Sequence, residues 1–117
     1  VCVNRSGRSN ALIKRNGVFA VNILSVDQQR LVGAFSRPSD QEPFADAALW
    51  ERLSTGSPVL RDTLASLDCA LDQIINIGTH SLFVGHVVAV RIGEVRNPLI
   101  PTCAVADSRG IPKSAKV

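Results

Sequence analysis

Two long β-prone runs in the second half of the chain constrain its fold most strongly. The first alternates as Leu67, Cys69, Leu71, Gln73, Ile75 and Ile77. The second runs from Gly78 to Gly93 and is dense in Val, Leu, Ile and Phe. Period-two spacing and β-branched content predict strands, and the short break Gly78-Thr79-His80 predicts a turn joining them as an antiparallel hairpin. Read at strict period two, Leu82, Val84, His86, Val88, Val90 and Ile92 form an apolar inner face. Ser81, Phe83, Gly85, Val87, Ala89 and Arg91 then form a mixed outer face. This hairpin is expected to be the spine of a small barrel, with any chemistry near its polar tip.

Composition narrows the choice. At 117 residues, 45% hydrophobic and 20% charged, the chain can bury one real core and is not a disordered segment. A net charge of +3 suits an anionic ligand but is too small to argue for nucleic acid. One Trp, no Tyr and four Phe leave few aromatic platforms for bases. No apolar run reaches the length of a membrane span, so no membrane role is expected. Cys2, Cys69 and Cys103 are widely spaced and form neither a disulfide framework nor a metal site. Cys2 and Cys69 sit in apolar strand contexts and read as small core residues in a reducing, cytoplasmic compartment. The chain contains no Met and opens inside the apolar run Val1-Cys2-Val3, which leads one to expect further residues upstream.

In chain order, Val1–Val3 reads as the end of a strand. Asn4-Arg5-Ser6-Gly7-Arg8-Ser9 is a polar loop feeding a short helix through Asn10–Arg15, with Ser9 as its cap and Gly17 as its stop. Such a loop offers free N–H groups and the positive end of a helix dipole, which suits a phosphate, and Arg5 and Arg8 can add charged donors. The same pattern also describes an ordinary solvated loop. Val18–Leu24 predicts a strand. Ser25-Val26-Asp27-Gln28 fits a capping box for a helix from about Val26 to Phe35, with Leu31, Val32 and Phe35 on one side. Phe44, Leu49, Trp50 and Leu53 anchor a covering segment between Pro43 and Pro58. Residues 1–100 read as one domain, and 101–117 as a divergent or loose tail.

The usual catalytic signatures are missing: no dinucleotide glycine fingerprint, phosphate-binding Walker loop, zinc-protease motif or nucleophile elbow occurs. His80 and His86 are the only histidines and have no carboxylate set around which to build a metal site. His86 reads as structural, at or within the core, and His80 as a tip residue able to reach a ligand. Asp68 and Asp72 show no paired-carboxylate logic. If catalysis occurs, a bound cofactor carries it, and no catalytic side chain is expected.

Several motifs in one order then point to a family. Val1-Cys2-Val3-Asn4-Arg5-Ser6-Gly7-Arg8-Ser9, Gly17-Val18-Phe19-Ala20-Val21-Asn22-Ile23-Leu24-Ser25, Gly56-Ser57-Pro58-Val59-Leu60, Leu67-Asp68-Cys69 and Gly78-Thr79-His80-Ser81-Leu82-Phe83-Val84-Gly85-His86-Val87 resemble the flavin reductase-like family. These are short-chain NAD(P)H:flavin oxidoreductases that serve two-component monooxygenases. The resemblance implies a mainly β fold with short helices, the antiparallel, Greek-key-like FMN-binding split barrel, and a homodimer. It implies hydride transfer from NAD(P)H, as co-substrate, to FMN or FAD. It assigns Cys2, Val3, Asn4, Arg5, Ser6, Gly7, Arg8 and Ser9 to the flavin and its phosphate, and Phe35, Ser36 and Arg37 to its neighbourhood. The family's Gly-Asp-His motif falls on Gly78, Thr79 and His80, with Thr79 in place of Asp, and marks His80 as the nicotinamide-side contact. The family's upstream strands would precede Val1, and its usual aromatic and basic continuation is replaced after Ile100.

Three functional readings follow. The chain serves a flavin reductase feeding a monooxygenase component, a reductase that keeps its flavin bound and uses another acceptor, or a split-barrel module that binds flavin without turnover.

Overall fold

The computed structural model describes residues 1–36, 44–100, 105–106 and 112–113. In order these form β1 (Cys2–Asn4), α1 (Arg8–Asn16), β2 (Val18–Ile23) and a 3-10 turn (Val26–Gln28) running into α2 (Gln29–Ser36). A second 3-10 turn (Ala47–Leu49) leads to β3 (Trp50–Arg52), β4 (Pro58–Leu60), β5 (Ala65–Ile77) and β6 (His80–Ile92). A short antiparallel pair, β7 (Val105–Ala106) and β8 (Pro112–Lys113), falls within the expected tail, whose other residues, Cys103 among them, lie outside the described set.

The predicted hairpin is the centre of the molecule. β5 and β6 pair antiparallel from Ile77 opposite His80 to Ala65 opposite Ile92. The turn is Gly78-Thr79, with Gly78 at φ 54°, a conformation that favours glycine at the first turn position. β1 adds to β6 and β2 to β5, giving a four-stranded antiparallel sheet in the order β1-β6-β5-β2. The β3–β4 hairpin joins through Asn22, whose Oδ1 accepts from Leu60 N at 3.0 Å and whose Nδ2 donates to the Pro58 carbonyl at 3.4 Å.

The expected division of β6 into faces fails, for a definite reason. Cys69 stands opposite Val87 and Asp68 opposite Ala89, so Val88 has no opposite residue. Leu71 faces Gly85 and Gln73 faces Val84, so Asp72 has none either. Each bulge inserts one residue and sends the side chains beyond it to the other face. Ser81 and Phe83 are buried, whereas Val84, His86, Val88, Val90 and Ile92 are exposed. Phe83 rather than Val84 thus faces the core, and beyond the Val88 bulge Val90 and Ile92 lie on the Phe83 side but uncovered. His86 is no core residue: its Nε2 lies 3.6 Å from Asp72 Oδ1 at the surface.

Phe19, Cys69 and Phe83 form the buried apolar cluster, with Val3, Ile13, Val21, Leu67 and Leu71 packed around them. Phe83 is 1% exposed, and burying a phenyl ring of this kind contributes about 2–3 kcal/mol. Gly85 allows Phe19 to lie against the strand, since a Cβ there would stand 2.8 Å from the ring. α1 supplies Ile13 to this cluster, and its buried Asn10 donates to the Val3 carbonyl at 3.4 Å. Cys69 is buried as expected, and burial first, then the Asp68 carboxylate, push its thiol pKa up. Cys2 is exposed, because strand β1 sits at the sheet edge and turns Val3 inward instead.

Candidate functional site at the hairpin tip

The site begins with strand pairing. β1 and β6 are antiparallel, with Asn4 opposite His80 and Cys2 opposite Leu82. The chain leaving β1 therefore starts at the hairpin turn. Arg5 N donates to the Thr79 carbonyl at 2.9 Å, and the Arg5 guanidinium donates to the Gly78 carbonyl at 3.3 Å. Two stretches far apart in sequence, Asn4–Ser9 and Gly78–His80, are thus one surface. Thr79 Oγ1 lies 2.8 Å from His80 Nδ1.

The loop is shaped by Asn4, whose Oδ1 accepts from Ser6 N at 2.9 Å and Ser6 Oγ at 2.7 Å. Gly7 N closes onto the Asn4 carbonyl at 3.0 Å, and a Cβ at Gly7 would stand 3.2 Å from that same oxygen. The turn delivers the chain into α1 with Gly7, and not Ser9, at the cap position; Ser9 lies one residue inside the helix. No side chain caps α1, and no acidic residue occupies its first turn. Its leading N–H groups and positive dipole end therefore face outward beside Arg5, Ser6, Arg8 and Ser9, all exposed. A donor-rich, acid-free cradle at a helix start fits an anionic phosphate group.

Phe35 is placed differently. Its ring packs edge-on against Phe44 and Trp50, with centroids 5.5 and 6.0 Å away. Phe35 and Trp50 line an open apolar cavity of about 320 Å³ with Leu24, Leu31, Val32 and Leu60. The capping box that starts this helix forms as read, with Ser25 N donating to Gln28 Oε1 at 3.0 Å. Ser36 ends α2, and Arg37 lies outside the described residues. The structure thus joins the loop and the tip, while Phe35 belongs to a separate aromatic cluster.

Sequence reasoning overlooked two buried polar anchors. Asp68 is fully buried and accepts from Thr55 N at 2.8 Å and Thr55 Oγ1 at 2.5 Å, tying the Thr55–Ser57 turn to β5. Ser66 Oγ donates to Asn22 Oδ1 at 2.8 Å. A charged or polar residue inside an otherwise apolar strand was the available signal. Among the described residues no cluster of His, Cys, Asp or Glu could hold a metal ion, and no helix is long and apolar enough to cross a membrane.

An antiparallel sheet carrying a loop-to-helix anion cradle against a hairpin tip is the arrangement on which known proteins bear. Residues 1–102 match the model of the flavin reductase like domain, and the chain belongs to that family. It is similar to the protein named FMN reductase (NADH) RutF of Variovorax paradoxus (strain S110), at 38% identity over 100 residues, 86% of this chain and 56% of that protein. The protein of the same name in Bradyrhizobium diazoefficiens is 41% identical over 93 residues, 78% of this chain and 51% of the relative. The chain spans about half the length of these curated relatives. Among solved structures it is similar to BorF, the flavin reductase component of a bacterial two-component tryptophan halogenase. That likeness has a TM-score of 0.77 and 29% identity, covering 84% of this chain and 63% of BorF. The fold is the split barrel of the flavin reductases, as the motifs implied.

Proposed function

We propose that this chain supplies the flavin and nicotinamide contacts of an NADH:flavin oxidoreductase. The single observation that carries the reading is the junction of Arg5 with Gly78 and Thr79, which makes one surface of the two stretches assigned separately to the flavin and to the nicotinamide. Direct hydride transfer requires the two rings to lie against each other, so their binding residues must adjoin. The names of the curated relatives, FMN reductase (NADH), support FMN as the hydride acceptor and NADH as the donor.

In this reading the leading N–H groups of α1, with Arg8, Ser6 and Ser9, hold the flavin phosphate. Arg5 braces the loop against the turn and adds positive charge. His80 contacts the nicotinamide nucleotide, with Asn4 across from it on the neighbouring strand. When bound, flavin would supply the hydride acceptor, and the protein's work is alignment and exclusion of water, which needs no acid–base dyad.

Two features of the assembly follow. Val90 is 53% and Ile92 73% exposed, with Val87 and Ile23 beside them on the same side of the sheet, and such a face supports a homodimer. The role of BorF as the flavin reductase component of a two-component halogenase supports a reduced-flavin-consuming partner, a monooxygenase or related component, for the whole protein.

The test is NADH consumption by purified protein with and without FMN. Flavin-dependent consumption is expected, with FMN turning over as a substrate. Consumption that needs no added flavin would support a resident cofactor. FMN binding without NADH consumption would contradict the reductase reading and leave the binding module.

A further inference from the structure

The contact between Thr79 and His80 assigns a task that residue types alone do not. Thr79 Oγ1 and His80 Nδ1 are 2.8 Å apart at the exposed tip. The two nitrogens of a neutral imidazole are unlike, and the partner of one decides what the other can offer. Three acceptors of the loop and turn already take hydrogen bonds from the chain. Asn4 Oδ1 holds Ser6, the Gly78 carbonyl holds the Arg5 guanidinium, and the Thr79 carbonyl holds Arg5 N. These acceptors are thus partly used by the chain itself, and a neutral histidine side chain in water favours the Nε2–H form. A hydroxyl donating to Nδ1 agrees with that form.

We propose that Thr79 is a positioning residue: its hydroxyl donates to His80 Nδ1, fixes the ring as the Nε2–H tautomer and aims that donor at the bound nicotinamide nucleotide. The matching acceptor is a carbonyl or phosphoryl oxygen, and the nicotinamide carboxamide provides one. The inference rests on the assignment of the tip proposed above. It adds that a side chain without charge, next to the contact residue, sets the geometry of binding.

The experiment compares the full chain with its Thr79→Val, Thr79→Ser and His80→Ala variants, using NADH as the probe. Nitrogen NMR of histidine-labelled protein, free of ligand and above the range where histidine titrates, reads the ring directly. Wild type and Thr79→Ser are expected to show an unprotonated Nδ1 shifted upfield by a hydrogen bond, and Thr79→Val to lose that shift. In turnover, Thr79→Val is expected to raise the KM for NADH about three- to tenfold, the loss of about one hydrogen bond. Thr79→Ser is expected to restore the KM, and kcat is expected to change little in either variant. A protonated Nδ1 in wild type, or an Nδ1 shift unaltered by Thr79→Val, would overturn the proposed bond. A KM raised by His80→Ala but not by Thr79→Val would overturn the positioning role alone. A KM raised by neither would overturn the nicotinamide assignment on which the role rests.

Discussion

Arg5 and Thr79, distant in sequence, are joined by a main-chain hydrogen bond of 2.9 Å from the Arg5 amide to the Thr79 carbonyl. The bond continues the β1–β6 ladder by one step, past the pair Asn4 and His80. Ordinary sheet pairing thereby sets a phosphate-type cradle beside a histidine-bearing turn. The same bond has consequences for how separable the two halves of the site are.

His80 stands on the turn side of this junction, opposite Asn4 on the neighbouring strand. His80→Ala is therefore expected to raise the KM for NADH about three- to tenfold, the loss of roughly one hydrogen bond, and to leave that for FMN within about twofold. Steady-state kinetics with each substrate varied in turn check this. Equal effects on both constants would remove the division of labour.

Arg8 opens α1, and its side chain has no hydrogen-bond or ion-pair partner among the described residues. Arg8→Ala is expected to weaken FMN about tenfold, the worth of a charge-assisted hydrogen bond. Riboflavin, which lacks the phosphate, should lose little affinity. Fluorescence titration with the two ligands measures the difference, and equal losses would place Arg8 elsewhere.

Gly85 tests the packing beneath the site. A Cβ at this position would lie 2.8 Å from Phe19 Cζ and 3.1 Å from the Ala70 carbonyl. The main-chain oxygen cannot swing away, so Gly85→Ala is expected to destabilise the fold by about 1–3 kcal/mol. Urea unfolding gives the value, and a change within error would mean that the ring and strand part easily.

Asp27 supplies a pH-dependent test. Its carboxyl pKa lies below the ordinary aspartate range, chiefly because the Ser25 hydroxyl donates to it, with its own backbone amide and Arg96 adding to the effect. A depressed folded-state pKa contributes stability above the unfolded value of about 3.9 and loses it as pH falls through the folded value. The stability gap between wild type and Asp27→Asn should therefore be level near neutrality and shrink below about pH 4. Denaturant melts across that range check it. A gap that widens on acidification would show the sign to be wrong.

What could be read in advance divides along physical lines. The hairpin, the capping box of Ser25 and Gln28 and the Gly17 stop are local, and local pattern found them. The cap of α1 was misplaced by two residues because Asn4, outside the helix, folds the loop so that Gly7 takes the position. The faces of β6 were misread on two counts: Phe83, not Leu82 or Val84, turns to the core, and a period-two reading cannot see the Val88 bulge that carries Val90 and Ile92 to the side of Val87. The burial of Asp68 depends on Thr55 on another segment, and no window around Asp68 contains it. The site was legible as two motif clusters, and their adjacency became visible only through the β1–β6 pairing.

The most direct measurement is a single turnover without oxygen: protein loaded with FMN, mixed with NADH, and followed by the loss of oxidised-flavin absorbance. Rapid bleaching that saturates with NADH is expected, with the half-saturating concentration raised by His80→Ala and the limiting rate little changed. No bleaching by protein shown to bind both ligands would contradict the claim that the Arg5–Thr79 junction brings flavin and nicotinamide together.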